Sequence, residues 1–268
     1  RLGLSYHNTR RLHQKIESIP SRAGIWKTIL LSFPDNPEEK FTVRHRDPVE
    51  AVRSLWQDPT FAEHIVYLPE HVFTDETKQT RRFNEMWTGR WWGDLQDDLP
   101  DGATIAAVIL ASDKTLLTQF TGGKSAYPLY LTLGNIPKWI RHCPSMQPCI
   151  LIGYLPVEKV SRRVLTEQVW RARTQRVFHE AMRHILKPLT EAGKKGIPMA
   201  GADGMVRHVY PIVAAHASDY QERCLVSCTK NTTCPNCQCP THKLSSSDPR
   251  DMVPRTCEWT LQVIAEAK

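Results

Sequence analysis

The apolar segment Ile105 to Leu110, which runs into Ala111-Ser112-Asp113-Lys114-Thr115, constrains this chain more than any other stretch. An uninterrupted apolar run ending in one carboxylate reads as a buried strand that delivers a charge to its rim. A buried charge is costly unless it is paired or bound to a metal. The arrangement recurs where Val209 to Ala217 leads into Ser218-Asp219, and a Cys-Pro-Asn-Cys clip, Cys234 to Cys237, follows. Two strand-borne aspartates followed by a cysteine clip suggest phosphoryl transfer on nucleic acid with divalent metals.

The strands around these aspartates set an order. Ala103 to Ala111 reads as a first strand, Tyr127 to Leu133 as a second and Cys149 to Leu155 as a third. Between the first two, Thr121-Gly122-Gly123-Lys124 is a turn. A helix is expected from about Ser161 to Leu186, ended by Pro188 and a turn at Gly193. The turn Gly201 to Gly204 leads into a strand over Val206 to Ala217, and a short helix, Tyr220 to Ser227, leads into the cysteines. Three strands, a helix, a strand and a helix is the order in which an RNase H-like domain begins, with acids on its first and fourth strands. The expected class is therefore α/β, a mixed RNase H-like sheet with flanking helices.

Residues 1–100 read as a mainly helical accessory region, 101–228 as the first part of the core, and 229–268 as a cysteine-rich, zinc-knuckle-like insertion. In the first, Pro48 to Gln57 has helical apolar spacing, with Asp47 as N-cap before a first-turn proline. Trp87, Trp91 and Trp92 read as a packing cluster rather than a base-stacking platform. Leu99-Pro100-Asp101-Gly102 is a turn before the first core strand. Lys243 to Pro249 reads as a loop, and Cys257 to Lys268 as a helix.

Composition adds two constraints. At 268 residues the chain can bury an ample core, and its longest apolar run, Ile105 to Ala111, is too short to span a membrane. No secretory signal is visible. The chain begins at Arg1 and ends at Ala265-Glu266-Ala267-Lys268, and is expected to be part of a longer protein. The formal charge of +7 suits a polyanionic partner. Arg171, Arg173, Arg176 and Arg183 share one expected helix, and Arg10, Arg11, Lys15, Arg44 and Arg46 enrich the N-terminal part; a solvated face explains any one group equally well.

Among candidate sites, Asp113 and Asp219 come first. Two-metal phosphoryl transfer needs carboxylates that flank divalent cations, and Mg²⁺ favours oxygen ligands; the competing role for an aspartate after a strand is to cap a turn. Asp203, in an Asp-Gly pair, reads as a turn residue. Six of the eight cysteines follow position 220, and Cys234 and Cys237 have metal-clip spacing. Cys239, His242, Cys228 and Cys224 are the local choices to complete a structural zinc site, with free structural cysteines as the alternative. His179-Glu180-Ala181-Met182-Arg183-His184 is not a zincin motif, because its histidines are five apart and fall on different helix faces. No His-x-Glu deaminase signature, phosphate-binding glycine loop or nucleophile elbow is present.

With these residues in hand, the chain resembles the Plavaka-type transposases, fungal relatives of the CACTA (En/Spm) group. The resemblance runs through Met86-Trp87-Thr88-Gly89-Arg90-Trp91-Trp92, Ser112-Asp113-Lys114-Thr115, Tyr127-Pro128-Leu129-Tyr130-Leu131-Thr132-Leu133-Gly134-Asn135-Ile136 and Ile152-Gly153-Tyr154-Leu155-Pro156. It continues through Ala202-Asp203-Gly204, Ser218-Asp219-Tyr220-Gln221-Glu222 and Cys234-Pro235-Asn236-Cys237. It implies a DDE/D transposase that cuts and rejoins DNA with Mg²⁺ or Mn²⁺, with Asp113 as the first acid and Asp219 as the second. It also implies nuclear residence, DNA (transposon ends and target) as partner, no membrane, and a homo-oligomeric transposition complex. Cys234, Cys237, Cys239 and His242 would hold Zn²⁺. The third acid is expected beyond the cysteine insertion; Glu258 and Glu266 have no matching motif around them. The alternative is a domesticated or decayed transposase-derived module that holds DNA without cutting it.

Overall fold

The strand Ala103–Ser112 is buried along almost its whole length on both faces, so it must lie inside a sheet with cover above and below. The computed structural model, which describes residues 6–18, 21–118, 122–162, 165–246, 248 and 252–266, places it there. In chain order the elements are α1 (Thr9–Glu17), β1 (Lys27–Phe33), β2 (Asn36–His45), α2 (Pro48–Trp56), β3 (Val72–Phe73), β4 (Arg81–Arg82), α3 (Arg90–Asp97) and β5 (Ala103–Ser112). They continue with β6 (Thr115–Leu116), β7 (Ser125–Ala126), β8 (Pro128–Leu133), α4 (Lys138–Arg141), β9 (Ile150–Tyr154), α5 (Glu167–Lys195), β10 (Ile197–Ala200), β11 (Val206–Ala217), α6 (Tyr220–Val226) and α7 (Cys257–Glu266).

One seven-stranded sheet, ordered β1-β2-β9-β8-β5-β11-β10, carries the fold; β3–β4 and β6–β7 are separate two-stranded ribbons. From β9 to β8 to β5 the pairing is antiparallel, whereas β5 and β11 are parallel. A parallel neighbour cannot follow by a hairpin and needs a crossover; here α5 lies on the route from β9 to β11. The helix packs Val177, Phe178, Ala181, Ile185 and Leu189 into the same core as Leu129, Leu131 and Leu133 of β8. The other face is covered near the start of β5 by Trp87 and Trp92, which pack on Ile105 and Ala107. The tryptophans are thus a packing cluster, with Trp91 41% exposed at its margin.

Two expectations require correction. Residues 27–45, assigned to a mainly helical accessory region, form β1 and β2 and extend the sheet beyond β9. The overlooked signal is the alternation of Phe41 and Val43, both buried. These strands and α2 share one hydrophobic cluster with the rest of the sheet. The long helix does not stop at Pro188 but runs through it to Lys195. Tertiary burial of Leu189 and Ala192 holds the last turns in place. Gly193 has a packing role there, since a β-carbon would sit 2.8 Å from the Pro211 carbonyl oxygen of β11.

Other local readings hold. The Asp47 carboxylate accepts the Val49 N–H at 2.9 Å and caps α2, and Asp203 sits in the turn between β10 and β11. Asn135 is fully buried where β8 ends. Its amide donates to the carbonyls of Val66 (2.8 Å) and Ile105 (2.9 Å) and its oxygen accepts the Ala107 N–H at 2.9 Å. Preceding it, Gly134 leaves no room for a side chain: a β-carbon would lie 2.5 Å from Met86 Sδ.

Candidate active site

Because β5 and β11 are parallel neighbours, both chains leave the sheet at the same edge. Ala111 stands opposite Ala217, and each strand reaches its aspartate two residues later. Asp113 and Asp219 are both exposed there. Asp219 does what post-strand aspartates commonly do: it is the N-cap of α6, and Oδ1 accepts the Glu222 N–H at 2.7 Å. Among the described residues that bond occupies Oδ1 alone, and Asp113 has no hydrogen bond or ion pair.

Beneath the two aspartates lies a polar network that their motifs did not reveal. Ser112 donates its hydroxyl proton to Glu222 Oε1. It therefore accepts from His216 Nε2–H, 2.9 Å away, which sets the imidazole tautomer. The Tyr127 phenol is close enough to Glu222 for each to shift the other's titration. Burial pushes the Glu222 carboxyl upward, against the lowering effect of Ser112 and Tyr127, and the charges of Asp219 and Asp113 add to the rise. Burial and then the carboxylates of Glu222, Asp219 and Asp113 push the Tyr127 phenol far up. Burial lowers His216, so it is held neutral. Both strand aspartates act on the same buried groups, which makes this rim a focus of negative charge. The one signal for Glu222 in the sequence is the Asp219-x-x-Glu222 spacing of a capping box.

The arginines on α5 are each matched by a carboxylate. Arg171 pairs with Glu167, Arg173 with Asp35 and Glu39, Arg176 with Asp35 and Arg183 with Glu180. They form a solvated, paired helix face.

Downstream, Cys234, Cys237 and Cys239 line one cavity of about 430 Å³ with Leu244, Met252 and Pro254. The Cys237 N–H approaches Cys234 Sγ at 3.4 Å. Burial alone would raise the Cys234 thiol, but the Cys237 thiol and neighbouring N–H groups pull it below its usual value, while Cys237 is raised by the same contact. Arg255 Nε donates to the carbonyls of Cys234 and Cys237, both at 2.9 Å. Buried Cys239 instead donates to the Lys243 carbonyl at 3.2 Å, and His242 is exposed in a short 3₁₀ turn. Among the described residues no three His, Cys, Asp or Glu side chains are gathered to hold a metal. Cys228 lies 3.2 Å from His179 Nε2, and Cys224 is buried 3.7 Å from the Thr233 carbonyl. Glu258 and Glu266 lie on α7, none of whose residues is buried. No described helix is long and apolar enough to cross a membrane.

No curated protein and no solved structure matches the chain. A family model described as Plavaka transposase matches residues 6–268, a span that contains both strand-end aspartates, the network beneath them and the cysteine cluster. The chain belongs to the Plavaka transposase family.

Proposed function

We propose that the chain is the core of a DDE/D-type DNA transposase, in which Asp113 and Asp219 hold the divalent cations of strand cleavage and transfer. The observation that carries the proposal is the parallel pairing of β5 and β11, with Ala111 opposite Ala217. The order β9-β8-β5-β11, antiparallel twice and then parallel, supports an RNase H-like core with acids on its first and fourth strands. The donor chemistry fits the metal: two exposed carboxylates on one rim are the hard oxygen ligands that Mg²⁺ or Mn²⁺ prefers, with waters filling the remaining positions.

Bound there, the cations would supply activation of water or a 3′-hydroxyl and neutralise charge on the leaving oxygen. The chain's own residues prepare that position. Asp219, fixed by its cap to α6, and Asp113, just past the end of a strand buried along almost its whole length, are short ligands on rigid supports. Glu222, on α6, ties the two supports together through Ser112 at the end of β5. Its carboxyl is engaged by the Ser112 hydroxyl and pushed toward the neutral form, which suits a brace beneath the ligands rather than a ligand itself.

Cys234 and Cys237 are a soft donor pair of the kind zinc takes, but with Cys239 turned to the Lys243 carbonyl and His242 exposed the described residues do not gather the ligand set a structural zinc needs. DNA as substrate and nuclear residence follow from the transposase reading.

The test is cleavage of supercoiled plasmid in Mn²⁺ by a longer protein that carries the third acid expected beyond the cysteine insertion. Nicking that is lost in both Asp113→Asn and Asp219→Asn supports the proposal. DNA retention with no cleavage, unchanged by either substitution, favours a binding module instead.

A further inference from the structure

On the far side of the sheet from β11, the charge pairing seen along α5 breaks down. Arg46, just past the end of β2, is half-buried, and among the described residues no carboxylate pairs with it. Its neighbour Asp47 is occupied in capping α2. The Arg46 guanidinium lies 4.4 Å over the Trp26 ring, which in turn stacks on Tyr154 with centroids 5.8 Å apart. Its Nε is buried without a hydrogen-bond partner. Arg141, on α4, is equally incomplete: Nη2 is 3.5 Å from Glu85, while Nη1 is buried without a partner. Arg22 completes the group, bonded to Asp58 and, at 2.9 Å, to the Gln147 carbonyl.

These three arginines line one cavity of about 440 Å³, floored by the chain from Gln147 to Leu151. Three guanidinium groups face two carboxylates, one of them at the limit of contact. Unsatisfied buried N–H groups on a cation are costly unless an acceptor completes them. Guanidinium donors match the paired oxygens of a phosphate, and the Trp26 ring holds the plane of Arg46 in place.

We propose that the Arg22–Arg46–Arg141 cavity is a phosphate-binding site that takes a backbone phosphate of the DNA strand, away from the Asp113–Asp219 rim. The inference rests on DNA being the substrate, but not on catalysis.

The experiment uses the full chain and a fluorescent duplex oligonucleotide, read by anisotropy over a range of salt, with thermal melts to verify folding. Arg46→Met should weaken binding roughly tenfold and lower the slope of log affinity on log salt by about one. Arg171→Met, which removes an exposed and paired arginine, should leave affinity within about twofold. Arg22→Met, at a more exposed side chain, decides the matter if Arg46→Met does not fold. Binding is read in EDTA, without Mn²⁺, so that weakened affinity reports the cavity and lost plasmid cleavage reports the rim, and the two failures are distinguishable. Inorganic phosphate separates the two sources of the anion. If it raises the melting temperature of wild type but not of Arg46→Met, while DNA affinity is equal in both, the assignment to DNA is overturned. Unchanged DNA affinity and salt slope in folded Arg46→Met and Arg22→Met overturn the site altogether.

Discussion

Ala111 of β5 faces Ala217 of β11 in parallel register. Residues 106 positions apart therefore end at one edge, and each is followed two positions later by an aspartate. The geometry depends on both strands being anchored, β5 by burial on both faces and β11 by α5.

Asn135 closes the sheet where β8 leaves it, and three main-chain groups depend on its side chain. Asn135→Ala should cost about 2–4 kcal/mol, measured by urea unfolding. A loss under about 0.5 kcal/mol, within the range of surface substitutions, would contradict that role.

Gly193 lets α5 lie directly on β11. Gly193→Ala places a β-carbon 2.8 Å from the Pro211 carbonyl oxygen and should destabilise by about 1–3 kcal/mol. Were this an exposed helix site, the same change would stabilise, so the sign of the shift in melting temperature decides.

Glu222 accepts the Ser112 hydroxyl proton. Glu222→Gln keeps an acceptor and should stay within about 1 kcal/mol of wild type, whereas Glu222→Ala should cost about 1–3 kcal/mol by stranding the Ser112 hydroxyl. Equal stability of the two variants would contradict the bracing role.

The Asp203 carboxylate takes two hydrogen bonds from Arg207, at 2.8 and 2.6 Å, and these hold its pKa down from 3.8 to about 2. A depressed carboxyl contributes stability that is present above the unfolded value and lost as pH falls through the folded one. Asp203→Asn should therefore be less stable than wild type near neutral pH, by less than about 1 kcal/mol at this partly exposed pair. The gap should close between about pH 4 and pH 2. Acid unfolding curves that stay parallel through that window would contradict the pairing.

Strands with strong local signals were legible in the residues alone. Ile105 to Leu110 has no polar side to offer water, and Val206 to Ala217 matches its observed bounds. What escaped detection depended on distant partners. Phe41 and Val43 mark β2 only weakly, because much of that strand is polar and faces solvent at the sheet margin. Pro188 and Gly193 have the local chemistry of a helix end, and packing on β11 overrode it. Asp113 and Asp219 could be named from their positions after apolar runs, but Glu222, Ser112, Tyr127 and His216 meet only through the fold. The arginines on α5 read as a charged face and are paired, whereas Arg46, which the sequence marks only as one of a basic N-terminal group, has no carboxylate partner among the described residues.

Manganese binding to the folded chain, followed by the loss of the free Mn²⁺ electron paramagnetic resonance signal, tests the shared rim most directly. Wild type should take up the ion, Asp113→Asn and Asp219→Asn should each weaken uptake roughly tenfold or more, and the double variant should abolish it. Wild-type uptake in the double variant would show that these two carboxylates do not form one metal site.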